Sequence, residues 1–122
     1  MIPPSKKILI VDDSLLILSR LVTLVEKSPV VESIFTARTC QEAIDILRTA
    51  RIDMALFDIH LPDKSGIELL RFTKGLYPDL SIVMFTNQSD PQVQKTCLDL
   101  GAQYFLDKSK DFPLLARLID TL

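Results

Sequence analysis

Short apolar runs alternate with segments of helical period along this chain, and that alternation limits the fold more than any single motif. Runs at Ile8–Val11, Val31–Phe35, Met54–Phe57, Ile82–Phe85 and Tyr104–Leu106 read as strands. Helical segments lie between them, and several announce their own starts. Thr39 with Glu42 and Ser65 with Glu68 fit capping boxes, and Asp90-Pro91 reads as an N-cap followed by proline in the first turn. Gly101 reads as the stop of the helix that Asp90-Pro91 begins. Ala43, Ile46, Leu47 and Ala50 give one helix a buried stripe, as Leu115, Leu118, Ile119 and Leu122 do for the last. Five strands alternating with five helices predict a parallel sheet covered on both faces, because right-handed crossovers place helices on each side. The 122 residues suffice for one domain with one core, and no linker or repeat interrupts them. We therefore expect a single domain over residues 1–122, loose only at residues 1–5, which include Pro3-Pro4.

Composition removes several classes of function. A formal charge of −2 offers no basic footprint, so the chain is not expected to bind nucleic acid directly. The opening "MIPPSKKILIVDD" superficially resembles a signal peptide. Its apolar run is four residues long, short of the roughly 7–15 that such a segment needs. No stretch approaches the roughly 20 apolar residues that span a bilayer. A cytoplasmic protein with no membrane partner is expected. Cys40 and Cys97 have no CxxC spacing and no neighbouring histidine, and they read as buried, reduced thiols.

In open sheets of this kind, ligands bind beyond the carboxyl ends of the strands. The first strand ends on Asp12 and Asp13, the third on Asp58, the fourth on Thr86 and the fifth on Asp107 and Lys108; the second offers nothing ionisable before Arg38. A flavodoxin-like (βα)5 three-layer sandwich, with strand order 2-1-3-4-5, makes strands 1, 3, 4 and 5 adjacent. Their ends would then converge as three carboxylates, a hydroxyl and an amine. Each residue alone has an ordinary use. Asp13 or Ser14 can cap the first helix, Thr86 can close a turn, and Lys108 can be a solvated surface charge. Crowding is harder to explain, since two like charges about 4 Å apart cost on the order of 4 kcal/mol at an effective dielectric near 20. A small hard dication takes such oxygen ligands and offsets their repulsion. His60 is the single histidine and has no second histidine or cysteine nearby, which argues against a transition-metal site.

At "ILIVDDS", "FDIHLPDKSGIEL", Thr86 and "YFLDKS" the chain resembles response regulator receiver domains, the phosphorylated half of histidine-kinase signalling pairs. The resemblance implies that Asp58 accepts a phosphoryl group from a histidine kinase or phosphotransfer protein. It implies Mg2+ held by Asp12, Asp13, Asp58 and the main-chain carbonyl of His60. Thr86 would bond one phosphoryl oxygen and Lys108 another. Thr86 and Phe105 would form the switch, the aromatic being chosen because it lies three residues before the lysine. His60, Asn87 and Gln88 would tune access and rate. A surface on the fourth helix, including Gln92, Lys95, Thr96 and Asp99, would with the fifth strand and helix carry output to a downstream protein or effector domain. Two residues depart from the family pattern. Ser109 follows the lysine where proline is usual, often through a cis bond that costs roughly 3 kcal/mol without proline, so the path of that loop stays open. Asn87 stands where a smaller residue is usual, which predicts slow self-dephosphorylation. The competing functions are a metal-dependent phosphatase or phosphotransferase acting on small molecules, and a degenerate receiver serving as a scaffold. A flavin site is disfavoured by an acidic, glycine-free first turn.

Overall fold

The computed structural model describes residues 3–88 and 90–122. Ten elements alternate: β1 (Lys6–Val11), α1 (Leu15–Glu26), β2 (Val31–Ala37), α2 (Cys40–Thr49), β3 (Met54–Phe57), α3 (Gly66–Leu76), β4 (Ser81–Thr86), α4 (Pro91–Asp99), β5 (Tyr104–Asp107) and α5 (Phe112–Asp120). The strands form one parallel sheet in the order β2-β1-β3-β4-β5, the flavodoxin-like order expected. Every expected strand is present, and four of the five run one or two residues further at one or both ends.

Side chains alternate across the pleat and so divide the core in two. Leu9, Val11, Ala55, Phe57, Ile82 and Met84 pack on one face against α2, α3 and α4. Ile8, Ile10, Leu56, Val83, Phe85 and Leu106 pack on the other against α1 and α5. The edge strand β2 is half-buried, whereas β3 is buried along its whole length. Both cysteines are buried free thiols, and burial pushes Cys40 up to about 11.

The caps largely follow the expected chemistry. Ser14, not Asp13, caps α1, its Oγ accepting from Ile17 N at 3.2 Å. The Thr39 hydroxyl accepts from Glu42 N at 3.0 Å, but Glu42 returns its carboxylate to Arg38 N, one residue upstream of a closed capping box. Ser65 accepts from Ile67 N, one residue short of the expected spacing. Asp90 caps α4 through Gln92 N at 2.8 Å, and Gly101 ends that helix with φ at +108°, a conformation that favours glycine. The expected loose start is partly tied, since Ser5 N bonds Val30 O at 3.2 Å; residues 1 and 2 lie outside the described residues.

Candidate functional site

The carboxyl edge of the sheet gathers four buried polar side chains: Asp12, Asp58, Thr86 and Lys108, each no more than 9% exposed. Their positions follow from strand pairing. Val11 pairs with Phe57, so Asp12 and Asp58 leave neighbouring strands at the same level. Thr86 pairs with Asp107, one residue before Lys108. Lys108 Nζ lies 2.5 Å from Asp12 Oδ2 and 2.8 Å from Asp58 Oδ2, and it bridges both acids. Their other oxygens accept main-chain hydrogen bonds, Asp12 Oδ1 from Ser14 N at 2.9 Å and Asp58 Oδ1 from Ile59 N at 2.7 Å.

One ammonium thus serves two buried carboxylates, which leaves one negative charge uncompensated. Desolvation raises the Asp12 carboxyl above its ordinary value, although Lys108 and Ser14 N pull the other way. The third expected carboxylate does not join the pair. Asp13 is exposed, and its Oδ1 lies 3.7 Å from Arg38 Nη2. Its main-chain carbonyl accepts from Arg38 Nε and Nη2 at 3.3 and 3.2 Å. Among the described residues, no three His, Cys, Asp or Glu side chains are arranged to hold a metal. The physical reason is charge: without a cation, crowding three acids is unfavourable, and Arg38 offers Asp13 a counter-charge elsewhere. The donor chemistry nevertheless suits a hard divalent ion, being all carboxylate and carbonyl oxygen with surplus negative charge.

The loop after Asp58 is held from both sides. Gly66 N donates to Ile59 O at 2.7 Å, and a Cβ on Gly66 would lie 1.9 Å from Asp58 O, so only glycine lets α3 begin this close. In sequence, Asp63 stands among turn and capping residues just before α3. Its carboxylate instead caps α2 across the molecule, accepting from Cys40 N at 2.9 Å and Gln41 N at 3.0 Å. Desolvation works against ionisation there, but these donors and Lys64 N outweigh it and hold Asp63 below the usual range. His60 is exposed beside this loop.

Phe105 pairs with Met84, two residues before Thr86, and packs half-buried on the same sheet face. The Thr86 hydroxyl accepts from Gln88 N at 3.3 Å, and Asn87 is exposed. The Lys108–Ser109 bond is trans. The loop takes another path in place of the usual proline turn: Asp107 Oδ1 accepts from Ser109 N and Oγ at 2.7 and 2.6 Å, and Asp111 Oδ2 accepts from Asp107 N at 2.8 Å. Hydrogen bonds from Ser109 hold the Asp107 carboxyl low.

Gln92, Lys95 and Asp99 are exposed on α4 and Thr96 is half-buried; Lys95 pairs with Asp99 at 2.7 Å. The sequence reading passed over the exposed apolar side chains nearby, Leu98, Tyr104 and Leu114, and over Leu15 and Leu16 beside Asp13. No periodic signal marks an exposed leucine as special. Cavities of about 400 Å³ lie between α2 and α3 and at the opposite end of the sheet, away from Asp58. No described helix is long and apolar enough to cross a membrane.

Residues 8–120 match the family described as the response regulator receiver domain. The chain is 32% identical over 118 residues to a protein-glutamate methylesterase/protein-glutamine glutaminase of Clostridium acetobutylicum, covering 95% of this chain and 34% of that protein. It superposes with a TM-score of 0.86 and 30% identity on a CheY-like response regulator receiver domain protein from Methanospirillum hungatei JF-1, covering 95% and 91% of the two chains. The Mn(2+)-bound form of response regulator Rcp1 is similar at a TM-score of 0.78 and 25% identity, with 96% and 91% covered. The chain covers 34% of that methylesterase and about half of a Bacillus subtilis transcriptional regulatory protein, LnrK, so it spans only part of these relatives.

Proposed function

The chain belongs to the response regulator receiver domain family, the signalling domain of two-component systems, and from that premise we propose that Asp58 is its phosphorylation site. Receiver domains interact with histidine kinases and effector domains; a histidine kinase or phosphotransfer protein is the donor in this reading. A carboxylate oxygen of Asp58 bonds to phosphorus while the bond to the donor's imidazole breaks. The observation that carries this is the Lys108 bridge, which sets one fixed positive charge against Asp58 at 2.8 Å and against Asp12 at 2.5 Å.

Receiver domains bind a divalent metal at this site; here Mg2+, with Asp12, Asp13, Asp58 and the His60 carbonyl as its protein ligands, would neutralise charge on the transferring phosphoryl oxygens. Lys108 supports a second oxygen of the same group. The Thr86 hydroxyl, engaged among the described residues only by a 3.3 Å bond from Gln88 N, would turn to a third. Phe105, two positions back on the neighbouring strand and half-buried, then fills the space behind it. Output leaves through α4, β5 and α5, where Gln92, Lys95, Thr96 and Asp99 stand beside exposed Leu98, Tyr104 and Leu114. The chain catalyses its own phosphorylation and dephosphorylation and turns over no separate substrate. It works in the cytoplasm, and it contacts neither nucleic acid nor membrane through this domain.

Incubation with acetyl phosphate and Mg2+ should add one phosphoryl group by intact mass, and Asp58→Asn should abolish the adduct. An adduct that survives that substitution would place the acceptor elsewhere. Sustained hydrolysis of small phosphate esters would favour the phosphatase reading. His60, Asn87 and Gln88 tune the lifetime. Asn87 is exposed directly after Thr86, and Asn87→Ala should speed decay of the adduct; an unchanged decay rate would remove it from this role.

A further inference from the structure

The three acids that end β1 and β3 do not share one counter-charge. Asp12 and Asp58 take Lys108, while Asp13 takes Arg38 from the end of the edge strand. Arg38 is well placed for this. The preceding residue, Ala37, accepts Asp12 N through its carbonyl at 3.0 Å, which fixes the start of the β2–α2 connection against the β1–α1 loop. Arg38 N donates to Glu42 Oε1 at 3.3 Å, and Thr39 Oγ1 donates to Glu42 Oε2 at the same distance, so Glu42 is occupied by the helix start. The guanidinium then turns to Asp13, with two hydrogen bonds to its carbonyl and a looser 3.7 Å approach to its carboxylate.

We propose that Arg38 competes with the divalent cation for Asp13 and thereby sets the metal affinity of the phosphorylation site. The inference rests on the reading above, in which Asp13 is a cation ligand. A fixed guanidinium and a dication at one carboxylate repel each other, so each weakens the other's hold. The two roles of Arg38 also separate. Its bonds to the Asp13 carbonyl pin the loop without regard to charge, whereas its approach to the carboxylate acts only through charge. Both side chains are about half exposed, at 49% and 54%, so solvent moderates the effect. The site would then fill only at a higher cation concentration than its acids alone would require.

The test is the affinity of the whole chain for Mn2+ alone, read from the paramagnetic signal of the free ion. Arg38→Gln keeps a donor for the Asp13 carbonyl and removes the charge; Arg38→Ala removes both. At low ionic strength, Arg38→Gln should bind Mn2+ about threefold to fivefold tighter than the unmodified chain. The gain should shrink as salt is added. Arg38→Ala should also bind more tightly. Equal or weaker affinity in Arg38→Gln, with binding by the unmodified chain lost in Asp13→Asn, would overturn this inference alone. An unmodified chain whose Mn2+ binding is absent, or unaffected by Asp13→Asn, would overturn the metal-site reading and this inference with it.

Discussion

Asp53 and Asp58 bracket the same four-residue strand, β3, and they have opposite surroundings. At the amino end, Asp53 Oδ2 accepts from Lys7 N at 2.8 Å and Oδ1 lies 3.9 Å from Arg51, whose side chain is 88% exposed. Nearby, Lys7 and Glu32 pair at 3.8 Å in partial solvent. Each charge there meets a partner or water. At the carboxyl end Asp58 is buried with Asp12 and shares a single ammonium with it. Strand pairing alone does not demand such a difference in charge between the two rims. The residues at one rim are satisfied, and those at the other carry excess negative charge out of water.

The largest expected contrast comes from removing the cation at each end. Lys108→Ala strands two buried carboxylates and should cost about 3 kcal/mol in metal-free denaturant unfolding; Arg51→Ala should stay within about 0.5 kcal/mol. Similar losses at both positions would erase the distinction. Next come the two glycines of α3. Gly66→Ala drives a Cβ onto the Asp58 carbonyl and should destabilise by about 2 kcal/mol. A Cβ on Gly75 meets nothing within 4 Å, and Gly75→Ala should stabilise by about 0.5 kcal/mol through helix propensity. Asp53→Ala should cost about 1 kcal/mol through its lost hydrogen bond and leave phosphorylation unchanged; a slower phosphorylation rate would tie the two rims together.

The smallest effect is on pH dependence. Asp12 is raised by burial, so the folded chain binds its proton more readily than the unfolded chain does. Its ionisation therefore costs stability above its folded value. That cost fades as pH falls from neutral toward the ordinary value of 3.8. Asp63 has the opposite sign: its stabilisation is intact above 3.8 and is lost as pH falls through its lower folded value. Asp12→Asn in metal-free buffer should flatten the rise between neutral pH and 4. An identical profile in the variant would assign that rise to other groups.

How much of this was legible beforehand depended on the kind of contact. The strands announce themselves because burial on both faces demands unbroken apolar runs, and Ile8–Val11 and Met54–Phe57 satisfy that locally. The meeting of Asp12, Asp58 and Lys108 follows from strand order, since parallel pairing puts strand ends level. Arg38 with Asp13 and Asp63 with the start of α2 were not legible. Both depend on where a side chain turns across more than 20 residues of chain, and no sequence period records that. The path after Lys108 was left open for a local reason, because Ser109 stands where proline would fix the turn. Only the structure shows Asp107 turning its carboxylate onto Ser109 while Asp111 secures Asp107 N.

The account turns on whether the excess charge at the carboxyl rim is a seat for a divalent ion. The most direct measurement follows thermal unfolding as Mg2+ is titrated into the unmodified chain and into the Asp12→Asn, Asp58→Asn double variant. Binding to the folded state alone stabilises progressively with free Mg2+. The account predicts a saturating rise in the melting temperature of the unmodified chain and a flat response in the variant. Equal rises in both, or none in either, would contradict it.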